Sequence, residues 1–151
     1  MEIIDKEIYL FIASPEIFRK FYYLLPNIEW IIMKEEAYKK IFTDIESAGK
    51  VDGGCIVSRD GLLIYSNMDK IHAEAFAAML ATLLSSAEVA MDEIGAGVPK
   101  KVIVEGREKK IMVSGAGPHA LLAIVVEDEQ GMEDVLVEGA KKVEEILRDK
   151  K

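Results

Sequence analysis

The chain has 151 residues, half of them hydrophobic and 30% charged, with a formal net charge of -8. That is enough for one globular domain with a sizeable core, and the balance carries no disorder signature. The acidic excess speaks against a nucleic-acid binder, which needs clustered Lys and Arg to grip the phosphate backbone.

Taken in chain order, residues 1–33 read as a small β-α-β unit of their own. "EIYLFIA" (7–13) has strand composition. Ser14-Pro15 is a helix start, with Ser as N-cap and Pro at the first helical position. "EIFRKFYYLL" then continues as helix until Pro26-Asn27, and "IEWIIM" (28–33) reads as a second strand. Phe18, Phe21, Tyr22, Tyr23 and Trp30 gather here, and core packing explains them better than a ligand cage. From Lys34 a charged helix runs to about Ala48, with Ala37, Ile41, Ile45 and Ala48 on one face. After "GKVDGG", the runs "CIVSR" and "LLIYSN" form a hairpin across Asp60-Gly61. That pair suits a type I′ turn, in which both central residues take positive φ.

Residues 71–95 make the longest helix, with Gly95 as its natural stop. Phe76, Leu80, Leu83, Leu84, Ala87, Met91 and Ile94 give it a broad apolar stripe. A second face carries Ala73, Ala77, Ala81 and Ser85, each four apart. Small residues at that spacing either admit a second helix at close range or lie flat on a sheet. Strands at 100–106, 109–115 and 119–127 follow with short links, so they pair as an antiparallel meander. Met132, Val135, Leu136, Gly139, Ala140, Val143, Ile146 and Leu147 then mark an amphipathic final helix.

Catalytic chemistry is hard to find. Cys55 is the only cysteine, so neither an intrachain disulfide nor a multi-cysteine zinc site can form. Its apolar strand makes it a buried, inert thiol. His72 and His119 stand at a helix start and a strand start, with no Ser, Cys or carboxylate at recognisable spacing. Asp60 is explained by turn geometry. The link Gly115-Ala116-Gly117-Pro118 lacks Gly-Lys-Ser/Thr and leads into a strand, so it is a hairpin loop and not a phosphate loop. No catalytic, cofactor-binding or metal-binding residue is expected. No apolar run reaches the roughly 18 residues that span a bilayer. Glu2, Asp5 and Glu7 are the wrong charge for a signal peptide. A cytoplasmic setting without membrane insertion follows, and richness in Lys, Glu and Ile is in keeping with a thermophilic source.

From residue 34 the order is helix, strand, strand, long helix, three strands, helix. With "GCIVSRDGLLIYSN" as the first hairpin, "EAFAAMLATLLSSAEVAMDEIG" as the long helix and "KKVIVEGREKKIMVSGAGPHALLAIVVE" as the meander, the chain resembles the Roadblock/dynein light-chain family. The likeness is to its prokaryotic, MglB-like branch of Ras-like GTPase regulators, and it covers residues 34–151. It implies an α/β sandwich: a five-stranded antiparallel sheet in order 2-1-5-4-3, the long helix on one face and two helices on the other. Residues 1–33 have no counterpart in that pattern and stand as an N-terminal extension of unknown role.

Family members are similar in dimerising through the third strand and the long helix. The resemblance therefore implies a homodimer interface at Lys101, Val102, Ile103, Val104 and Glu105, together with Ala77, Ala81 and Ser85. Lys100 and Lys101 fit equally well as charges that guard a sheet edge. The implied function is a non-enzymatic adaptor or regulator that binds a Ras-like small GTPase, at residues the sequence does not identify. Arg59 and Arg107 sit at hairpin turns, where surface solvation is a simpler role than an arginine finger. Two other classes stay open, a small-ligand sensor and an enzyme of unrecognised type. A cavity of a few hundred Å³ under the long helix would mark the sensor, and a filled core the adaptor.

Overall fold

The computed structural model describes residues 28–69 and 71–148. The element order is α1 (Ile28–Ala48), β1 (Val51–Ser58), β2 (Leu63–Ser66), α2 (Ala73–Glu93), β3 (Val102–Glu105), β4 (Lys110–Ala116), β5 (Ala120–Val126) and α3 (Met132–Arg148). The strand expected at 7–13, the helix after Ser14 and its aromatics lie outside the described residues.

One expectation is corrected at the start of α1. Residues 28–33 are helical instead of a second strand, so the boundary drawn between 33 and 34 falls inside a continuous helix. The Ile and Trp content suits a strand, but no breaker separates it from the helix-forming run that follows. Extending a helix already nucleated costs little, and it overrides local propensity.

The five strands form one antiparallel sheet in order β2-β1-β5-β4-β3, as the resemblance implies. The central strand β5 alternates between two cores. Ala120, Leu122, Ile124 and Val126 join Tyr38, Ile41, Phe42 and Ile45 of α1 and Leu136, Ala140 and Val143 of α3. Leu121 and Ala123 join Ala77, Leu80, Ala81 and Leu84 of α2 on the opposite face. Burial of the larger aliphatic side chains contributes about 1.5–3 kcal/mol each, so these two clusters hold the layers together.

Gly54 makes one layer contact possible. A Cβ there would stand 2.5 Å from the Ala123 carbonyl and 2.6 Å from the Phe42 ring. Its absence lets Phe42 lie against β1 and meet Tyr65 at a ring-centroid distance of 5.4 Å.

The β1–β2 turn also differs from expectation. Among the described residues no non-glycine residue has positive φ, whereas Gly61 sits at +87°. Its N–H donates to the Ser58 carbonyl and the Ser58 N–H donates to the Leu62 carbonyl. This is a three-residue loop, a type I turn closed by glycine in the left-handed region, so Asp60 needs no positive φ. The long helix ends as its Gly95 suggests. The Gly95 N–H donates to Asp92 and the Ala96 N–H to Met91, the paired bonds of a Schellman stop.

Candidate functional site

The residue types able to carry chemistry are dispersed or occupied. The Cys55 thiol is buried in β1, and burial pushes its pKa up to about 12, far from a nucleophilic thiolate at neutral pH. His119 borders the β4–β5 loop, where its carbonyl accepts the Arg59 N–H. His72 caps the start of α2 without a side-chain hydrogen bond. Among the described residues no three His, Cys, Asp or Glu side chains converge as metal ligands.

Arg59 is committed to the fold. Its Nε and Nη2 donate to the Gly117 carbonyl at 3.3 and 2.9 Å, and its Nη1 pairs with Glu88 of α2. One guanidinium thus ties the β1–β2 turn to the β4–β5 loop and the long helix. Arg107 is exposed on the β3–β4 turn.

The long helix has apolar residues on both of its faces. Inward, Ala77 and Ala81 are 0% and 8% exposed. These small side chains lie flat on the sheet of their own chain, which takes them out of the helix's outer surface and leaves only Ser85 of that row exposed. Outward, residues 75–87 contain no charge, and Met79 and Val89 are each 67% exposed. Against the expectation that no apolar run is long enough to span a bilayer, this helix is long and apolar enough by length and composition, and 22% of its most apolar stretch is buried. A helix with this much open apolar surface marks an interaction face.

Strand β3 forms one of the two edges of the sheet, with β2 at the other. Among the described strands β3 pairs only with β4, so its outer backbone groups are open to a further strand. Val102 packs toward α2 and Ile103 toward the opposite core, while Val104 is 39% exposed. Lys101 is turned away to pair with Glu133 of α3, and Glu105 stands 3.7 Å from Lys110.

A groove of about 630 Å³ opens where the start of α2 meets the far end of β3. Met68, Ile71, Phe76, Val104 and Ile111 give it apolar walls. Asp52 and Lys109 close one end at 3.0 Å. The Asp52 hydrogen bond and charge hold the Lys109 ammonium above its ordinary pKa. Sequence reading missed this groove because its walls come from five separate segments.

An open antiparallel sheet, layered between a helix pair and a single long helix whose outer face is uncharged over residues 75–87, defines a sandwich module whose candidate site is a surface. The chain belongs to the Roadblock/LC7 family: the Roadblock/LC7 domain matches residues 38–126, more than half of its length. An uncharacterised protein of Methanocaldococcus jannaschii is 27% identical over 86 residues, covering 56% of this chain and 75% of that one. The gliding protein MglB of Thermus thermophilus superposes with a TM-score of 0.69 at 13% identity, over 77% of this chain and 92% of that one. A Roadblock/LC7 domain from Streptomyces avermitilis gives 0.64 at 23% identity, over 70% and 92%. At these identities the structural likeness is one of fold.

Proposed function

We propose that the chain is a non-enzymatic, dimeric adaptor or regulator that binds a Ras-like small GTPase in the cytoplasm. The observation that carries this reading is the Roadblock/LC7 domain with a long helix uncharged over residues 75–87 and an open β3 edge. Two copies joined edge to edge at β3 extend the sheet and bring their long helices together. The dimer surface then centres on Val102, Ile103 and Val104, with Met79, Ser85 and Val89 as the helix contribution in place of Ala77 and Ala81. Action on the GTPase is by ordering the partner's own switch residues, a shift of population toward the hydrolysis-competent state. Calorimetry against each small GTPase encoded in the source genome, loaded with GDP or a GTP analogue, tests the reading. Saturable binding in at least one nucleotide state is expected, and silence in both states across all of them would remove it.

The groove at the start of α2 favours a second reading, a small-ligand sensor. Its signature is a metabolite that raises the melting temperature of the isolated protein. An Ile71→Asp change in the groove wall would abolish that rise.

A further inference from the structure

The groove at the start of α2 lies against one row of the sheet. Gly53, Val125, Ile111 and Val104 stand side by side across β1, β5, β4 and β3. Val104, Ile111 and Val125 of this row line the groove, whereas Gly53 lies buried beneath Met68. Phe76 and Ile71 also line the groove, and Ile71 is 40% exposed. In the monomer Val104 is exposed, and Ile111 and Val125 are half-buried.

A complementary excess lies at the other end of β3. The chain leaving α2 presents Ile94 at 74% and Val98 at 80% exposure, the two most exposed large hydrophobics among the described residues. Both precede β3, whereas the groove is walled by residues within and just after it, Val104, Gly106 and Lys109. A two-fold axis through β3 pairs the strand with its own copy in antiparallel sense. Reversal sets the residues before the strand in one copy beside those after it in the other. Val98 of the second copy is thereby carried to Gly106 and Lys109, with Ile94 behind it.

We propose that each copy's Ile94 and Val98 fill the groove of the other copy, so that the site is completed only by a second copy of this chain. This rests on the dimer reading above and specifies the occupant of its groove. The two fillings are reciprocal, so every substitution acts twice in the dimer.

Equilibrium sedimentation across a concentration series tests it, using wild type, Ile94→Asp/Val98→Asp, Ile71→Asp, Val98→Lys and the Ile71→Asp/Val98→Lys pair. All altered residues are exposed in the monomer, so circular dichroism should match wild type, and melting temperature should match wild type diluted until it is monomeric. The double aspartate variant should weaken the dimer about 100-fold or more, given the usual yield from burying aliphatic side chains. The Ile71→Asp/Val98→Lys pair should dimerise at least about ten-fold more tightly than the two single changes predict by addition. A wild-type dimer that is indifferent to the aspartates, or strictly additive single changes, would overturn the groove filling while leaving the dimer standing. A wild type that stays monomeric throughout would overturn the dimer itself.

Discussion

Replacing Arg59 by Ala should cost about 2–3 kcal/mol of stability, because hydrogen bonds to a charged group contribute about 1.5–3 kcal/mol and an exposed ion pair about 0.2–1. The first term is the pair of donations to the Gly117 carbonyl. The second is the Glu88 contact, discounted because the two side chains keep 29% and 32% of their exposure. Lys is a poor substitute, since one ammonium cannot reach a carbonyl and a carboxylate with the planar fork of a guanidinium. Urea unfolding followed by far-ultraviolet circular dichroism measures the loss. A cycle with Glu88→Ala should isolate a coupling of about 0.5–1 kcal/mol. The same commitment removes Arg59 as an arginine finger, a role worth about 10³-fold or more in hydrolysis rate. GTP hydrolysis by a bound partner should therefore be insensitive to Arg59→Ala at temperatures where the variant stays folded. A variant within about 0.5 kcal/mol of wild type would refute the reasoning, because that is the scatter of ordinary surface substitutions.

Gly54→Ala should destabilise by about 2–3 kcal/mol through overpacking, since the new methyl meets the Ala123 carbonyl and the Phe42 ring. A shift in the urea midpoint reads it, and an unchanged midpoint would show that β1 can move away. Alkaline unfolding has a definite sign. Burial raises the pKa of Cys55 from 9.0 to about 12 and also raises those of Tyr38 and Tyr65, the latter with help from Glu35, Glu46 and Glu36. The folded state therefore holds protons that the unfolded state releases, so stability is complete below pH 9 and falls as pH climbs toward 12. Cys55→Ala should flatten the part of that fall due to the thiol, on the order of 4 kcal/mol for about three pKa units, and an identical slope in the variant would contradict it. Val104→Lys should convert a dimer to a monomer in light scattering with an unchanged circular dichroism spectrum. An unchanged mass would mean that β3 is not the interface.

Much of the fold was legible in the sequence because its elements carry local signals. The apolar stripe of α3 and the glycine stop of α2 fall where the spacing places them, and the strand order agrees with the family pattern. The misreadings share a physical origin. At 28–33, composition favours one state and the chain that follows imposes another. At Asp60-Gly61 the dipeptide signals a hairpin but does not select between loops of two and three residues. Ala77 and Ala81 show the limit for the candidate site, because small residues four apart mean close approach without saying to what. Helix periodicity identifies two apolar faces on α2, but which face the sheet covers is decided by tertiary packing.

The edge strand bears on that same question. Natural sheets usually defend a free edge with charges that make pairing costly. Here Lys101 is drawn to Glu133 on the α3 side, and Glu105 lies beside Lys110 within the β3–β4 hairpin. Both charges are partly neutralised by their own chain, and Val102, Ile103 and Val104 between them carry none. An approaching strand therefore meets β-branched residues, which suit cross-strand packing, and an undefended ladder of backbone groups. The nearest helix face is also uncharged, and the groove at the end of the strand is apolar. The strand and the groove at its end thus both leave apolar surface unburied on the β3 side of the sheet. In the dimer proposed above, a single two-fold contact along β3 would bury the strand and the groove together.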